Sequence, residues 1–522
     1  MNAAMTPVAT RQVRYGHATG AGGRSVSPLP AGLSPAAAGT VLRTRRFGQD
    51  LYVTRAAERA VSVLWESLPE PPGTTRLGLV LATDRGDQHA LLRRMPEFAS
   101  CMRAGGRASA DLFRAIAYFP TGRVTRSVAQ RLRARGPVAT VPAGGTDARR
   151  LAGVWLAAGR ADHVVTVTAE LTGDHEATAT ATLWHGTGHS RTGGPADPGS
   201  EDFALAVPAG TVRPHHGDGV SWSGLVQEAL ARLAPAAVPG RRSTLVLTSM
   251  LADAGETAFA GVVPRDPGPS LPGTVRSLTS RMRFDETFVL VGSSGGGMTA
   301  LALAQDLLAL GRTDEVVVCG ADLVHGALAH ALGVLRCPDL PHMRGDATAL
   351  RFRPAGPEDT GRPIVRTCAL LSPQVPDSPN RAMELTGFPV RRGTAPRPAH
   401  VALSGLNAVD LAGAERLAAH MWPGVPVRPR GDVRSVGADV LRRVMRAAEG
   451  QPGDLPMAVA GVHSLGGSGY CLVARHERAP GRSSARTPVG WRRVSRGRSG
   501  RPRPPPAPAA RTRGTRPGGE AA

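Results

Sequence analysis

The 522-residue chain contains no lysine; all 63 of its basic residues are arginine. Chemistry that needs a lysine amine is therefore excluded. Aromatic residues make up only 4%, so Ala, Leu and Val must fill whatever core forms. Cysteine is scarce as well. Cys101, Cys319, Cys337, Cys368 and Cys471 are odd in number, scattered, and never spaced as Cys-x-x-Cys. Neither a disulfide framework nor a zinc centre is indicated, and the pattern fits a reducing, cytoplasmic compartment. No metal and no cofactor is expected. The N-terminus lacks the apolar run of a secretory signal, and no stretch reaches the length of a membrane span.

What is present points to a folded α/β protein. Hydrophobic residues make up 41% of the chain, and its length suffices for two or three domain-sized units. The net charge of +22 calls for acidic partners. The excess is uneven: residues 477–522 hold 12 arginines against 2 glutamates. This Arg/Pro/Gly-rich tail has a single aromatic, Trp491, so it lacks the aromatic interleaving of a nucleic-acid binder and reads as a disordered end. Nucleic acid is not the expected partner; the moderately basic remainder suits an acidic carrier protein. Residues 1–40 are small and polar and are also expected to be disordered.

Between these ends, helical and buried-strand patterns alternate. Helices are predicted over 55–68 and 224–234, each followed by a buried strand, 76–83 and 243–249. The segments 151–170 and 301–322 share an apolar helix, Gly-Arg-x-Asp and a Val-rich strand. "EDFALAVPAG" (201–210) parallels "GDATALRFRPAG" (345–356). Two tandem copies of one half-domain are predicted, at 41–220 and 221–358, with a different third segment at 359–476.

The stretch "FVLVGSSGGGMTALALAQ" (288–305) places Ser294 in a glycine turn between an apolar strand and a helix. Free N–H groups at such a helix start stabilise an anion or oxyanion, and Gly295 and Gly296 let a substrate approach the backbone. Gly292 to Gly296 also fits G-x-S-x-G, the nucleophile elbow of hydrolases. A serine nucleophile needs a base, and His325, His330, His342, His400, His420, His463 and His476 all follow it. None is singled out by its neighbourhood. "WHGTGH" (184–189) contains a His-Gly-Thr-Gly string, in an unsuitable place. Cys471 reads as a buried strand residue.

Several of these motifs, in this order, resemble the β-ketoacyl synthase family of the thiolase-like fold. The spacing from Ser294 to Asp314 matches that family's spacing from nucleophile to Gly-x-x-Asp. "RGDATALRF" (344–352) and "RPIVRTCALLS" (362–372) resemble its next two strands. "AHVALSGLNAVDLAGAERLAA" (399–419) resembles the segment that carries its first histidine. "MAVAGVHSLGGSGYCLVAR" (457–475), with Gly466 and Gly467, resembles its closing turn and last strand. The resemblance implies a layered α/β/α/β/α fold and work on acyl chains beside an acyl carrier protein, in polyketide or fatty-acid assembly.

The departures define the functional expectation. Ser294 stands where the family has its catalytic cysteine, and Ser404 where it has the first catalytic histidine. The segment 425–450, where a lysine and a Gly-His pair would fall, has neither Lys nor His. Condensation needs a thiolate and donors for the enolate. The expected role is therefore that of a degenerate, non-condensing homologue. It is similar to chain-length-factor subunits, which pair with an active ketosynthase in a heterodimer, or else it forms a self-dimer. The alternative is an acyltransferase, esterase or thioesterase using Ser294. Gly295, Gly296, Gly466 and Gly467 are the predicted substrate-binding glycines.

Overall fold

A computed structural model describes residues 5–16, 51–72, 76–88, 121–186, 203–212, 221–233, 241–250, 275, 284–323, 346–371, 397–428, 437–450 and 455–476, with gaps at 85, 144–145, 174–175, 406–407 and 464–465. The expected tail at 477–522 and most of the expected irregular N-terminus lie outside the described residues. So do Cys101 and Cys337.

The first elements are β1 (Met5–Gly16), α1 (Tyr52–Glu66), β2 (Leu77–Ala82), α2 (Gly122–Leu132), β3 (Val138–Val141), α3 (Thr146–Ala157), β4 (His163–Gly173) and β5 (Glu176–Gly186). Their strands form one sheet in the order β1-β5-β4-β2-β3. β2 runs parallel to β3 and β4, whereas β4–β5 and β5–β1 are antiparallel. β1 departs from the expectation of an irregular segment over residues 1–40. It is an edge strand, a position that tolerates Pro7, and its register shifts between Pro7 and Ala9.

Next come β6 (Phe203–Val212), α4 (Trp222–Arg232), β7 (Ser243–Ser249), β8 (Glu286–Val291), α5 (Gly296–Ala309), β9 (Glu315–Asp322) and β10 (Asp346–Pro354). The last are β11 (Pro363–Leu371), β12 (His400–Ser404), α6 (Ala408–Met421), α7 (Asp439–Glu449), β13 (Met457–Gly461) and β14 (Ser468–Arg475). All nine strands join one sheet, β12-β13-β14-β11-β6-β10-β9-β7-β8. Here the reading of 201–210 as the counterpart of 345–356 is corrected. β6 and β10 are antiparallel neighbours in the same sheet, and β6 does not join the sheet of the preceding residues. Both segments have similar composition, and composition does not specify a pairing partner.

Packing gives the layers. α4 buries Trp222, Leu225 and Val226 against one face of β7–β10, and α6 packs on the outer side of β12–β14. α5 and α7 lie between these strand groups, in one core with Val316, Leu350, Val459 and Cys471. α5 is apolar around almost its whole circumference and is buried from Gly296 to Leu308, as a helix between two layers of strands must be. The result is the expected α/β/α/β/α order. α1 and α2 cover the other side of the first sheet, and α3 covers the side facing α5.

The start of α1 is held from a distance. Asp87 accepts hydrogen bonds from the N–H groups of Val53 (2.8 Å) and Thr54 (3.1 Å) and from the Thr54 hydroxyl. Burial lifts its carboxyl from 3.8 to about 6, against the opposing pull of those Thr54 and Val53 bonds. The folded pKa lies above the unfolded one, so the folded state holds the proton more tightly. The resulting stabilisation is complete below about pH 4 and is lost as pH rises to about 6, roughly 3 kcal/mol in all. Asp87→Asn should flatten the melting temperature over this interval relative to the parent chain. Parallel pH profiles for the two proteins would show that Asp87 is not the group responsible.

Candidate active site

The Ser294 turn is assembled by glycine. β8 ends at Val291, and Gly292 follows with φ of 72°, donating its N–H to Ser249 O at 3.0 Å. Ser293 Oγ donates to Gly466 O (2.7 Å) and accepts from the Gly295 N–H (3.2 Å), which also bonds Gly466 O (3.2 Å). The turn before α5 is thereby stitched to the turn before β14. A side-chain carbon at Gly295 would collide with Gly467 O, and one at Gly467 would collide with Gly295 O. Gly296 faces the Thr248 hydroxyl in the same way. These glycines are expected from the sequence to admit a substrate. At Gly295, Gly296 and Gly467 that space is taken by facing backbone, His463 and Thr248, whereas at Gly466 the nearest atom to an added carbon is Ser293 Oγ at 3.7 Å.

Ser294 lies at the centre, completely buried, and among the described residues its Oγ has no hydrogen-bond partner. Ser404, at the end of β12, is equally buried, but its hydroxyl is committed. It donates to Asp439 Oδ2 at 2.7 Å, at the start of α7. Asp439 also accepts from Arg443 Nε at 2.9 Å and lies 3.6 Å from Arg442, which pairs with the buried Asp346 at 2.8 Å. Burial works against the Asp439 charge, but Arg443, Ser404 and Arg442 outweigh it and hold the carboxyl below its ordinary value. Ser404 is thus one corner of a buried ionic network.

His463 is not singled out by the sequence, yet it is buried, with its ring against Gly295 and Gly461. A carbon added at Gly295 would fall 2.5 Å from its Cδ2. One added at Gly461 would fall 2.8 Å from its Nε2 and 3.5 Å from Ser404 Cβ. Its main chain is fixed by Ser468, whose Oγ accepts the His463 N–H at 2.8 Å. A signal was available: His463 lies three residues before Gly466, in the most specific motif of the chain. Thr121 was also missed. Its Oγ1, with the Gly122 nitrogen, abuts Gly292 so closely that no side chain fits there.

The cysteines among the described residues, Cys319, Cys368 and Cys471, are all buried. Burial pushes the Cys319 thiol up to about 12. Cys471 is raised well above its usual value by its contact with the cross-strand Cys368 and by burial. Among the described residues no group of three His, Cys, Asp or Glu side chains is placed to hold a metal, and no helix is long and apolar enough to cross a membrane. The site therefore offers a helix start, an uncommitted hydroxyl and a neighbouring imidazole. Among the described residues no base, His463 included, is hydrogen-bonded to Ser294 Oγ.

No family model and no curated protein matches the chain. Solved structures do. One is acetamide-bound OleA of Xanthomonas campestris, at 12% identity over 52% of this chain and 98% of that one, with a TM-score of 0.34. Another is β-ketoacyl-[acyl carrier protein] synthase III of Thermus thermophilus, at 15% over 53% and 99%, TM-score 0.29. A third is an oxazolomycin ketosynthase domain of Streptomyces albus, at 14% over 53% and 96%, TM-score 0.34.

Proposed function

We propose that the chain is a non-condensing ketosynthase-like protein that acts beside an acyl carrier protein and an active synthase, in the manner of a chain-length factor. One observation carries this reading. At the position that the resemblance gives to the cysteine there is a buried serine whose hydroxyl, among the described residues, has no base bonded to it. A neutral hydroxyl in that state does not hold an acyl chain as a thioester, nor does it attack one without proton removal. The second position is spent as well, since Ser404 is tied to Asp439 and cannot serve as a donor to an enolate. The moderately basic residues before the 477–522 tail support an acidic carrier as the partner.

A second reading is favoured by the imidazole of His463 against Gly295, the residue after Ser294. A hydrogen bond between His463 and Ser294 would create an acyl-transferring or hydrolysing serine. Intact-protein mass spectrometry after incubation with acyl-thioester donors separates the readings. The non-condensing reading expects no adduct on the parent chain or on Ser294→Ala. An acyl adduct present on the parent and absent from the variant establishes the second reading instead.

A further inference from the structure

The strand orders β3-β2-β4-β5-β1 and β8-β7-β9-β10-β6 are the same, with the same parallel and antiparallel pairings at every step. α3 and α5 occupy equivalent places, each directly after the edge strand of its set and before the next strand in sequence. The corresponding edge strands, β3 and β8, lie beside one another. Ala139 and Val141 of β3 share a core with Phe288 and Leu290 of β8. Two copies of a unit that meet through the same edge reproduce the arrangement of an isologous two-fold interface, normally made by two chains.

The side chains at this junction have diverged from symmetry. Arg160, after α3, pairs with Asp306 of α5 at 2.8 Å, and both are buried. Counting from the shared Gly-Arg-x-Asp, the counterpart of Asp306 is Val154, which cannot pair with Arg312. Arg312 turns instead to Glu286 at 3.1 Å. Arg150 of α3 reaches Glu286 too, with Nε at 3.1 Å, and lies over the Phe288 ring at 4.8 Å. An interface whose ion pairs run one way favours unlike halves over like ones. The first unit also reaches the Ser294 turn, where Thr121 and Gly122 fill the space at Gly292.

We infer that the first unit is a built-in partner: it takes, within one chain, the place of a second protein at the β8 edge and supplies a wall of the Ser294 site. Neither a second copy nor an active synthase docks on that edge; any such partner uses another face. This holds whether or not Ser294 reacts.

The absence of lysine makes the test clean. Arg150→Lys introduces the chain's one side-chain amine at the junction, and a zero-length carbodiimide joins an amine to a carboxylate in contact with it. Arg312→Lys, on the same side of the junction as Glu286, is the control that the reagent reaches that carboxylate. With a mixture of isotope-labelled and unlabelled Arg150→Lys protein, the expected product is a bridge from the new amine to Glu286, confined to single chains. A bridge between labelled and unlabelled chains overturns the inference. So does the absence of any bridge in Arg150→Lys where Arg312→Lys forms one to Glu286. If the control bridge also fails, the placement of Glu286 on which the inference stands is refuted.

Discussion

Replacing Asp306 with alanine is expected to lower stability by about 3–5 kcal/mol, because it leaves the buried Arg160 guanidinium without its counter-charge. Arg160 donates to Asp306 from Nε at 2.9 Å and 3.0 Å, and to Cys368 O at 2.7 Å. Burial opposes its charge, and Asp306 more than restores it, so its proton is held more tightly than usual. One side chain therefore joins α3, α5 and β11. The double change Arg160→Met with Asp306→Leu should recover most of the loss, since no unpaired charge remains. Gln305 keeps its own bond to the Cys368 N–H at 3.0 Å. Denaturant midpoints of the three proteins give the comparison. A single variant within about 1 kcal/mol of the parent would mean that the pair is open to water.

The second large effect is at Gly467. Alanine there should cost about 2–5 kcal/mol, because two penalties combine. A left-handed backbone costs about 1–2 kcal/mol for an alanine, and forced overpacking adds about 1–3 kcal/mol. Gly467 has φ of 78°, and an added carbon would collide with Gly295 O. Gly311 is the matched control: its φ is 60°, but nothing lies within 4 Å of the added carbon. Gly311→Ala should lose only the backbone part, about 1–2 kcal/mol. Equal losses at the two positions would mean that the Ser294 and Gly467 turns are not in contact.

Much of the strand and helix order could be read from the chain, because buried strands carry apolar runs, as in 77–82 and at Leu245–Leu247 within 243–249. Motif order picked out Ser294, Ser404 and the Gly466–Gly467 turn as candidates, and Ser293 next to Ser294 is bonded to Gly466 O. What could not be read was set by contacts between distant residues. Asp87 caps a helix 33–34 residues earlier. Ser404 finds Asp439 across 35 residues. Thr121 meets Gly292 only because two sheet edges come together. His463 looks like six other histidines until β13 and the closing turn place it against Gly295. β1 was hidden by its setting, since an edge strand in a polar, Pro-containing segment has little local signature.

The central claim is that the site has lost condensing chemistry. Its most direct test is release of labelled carbon dioxide from a malonyl-loaded carrier protein, measured with the purified chain alone. No release above the protein-free rate is the result this account expects. Release at a sustained, enzyme-dependent rate, with or without formation of a new carbon–carbon bond, contradicts it.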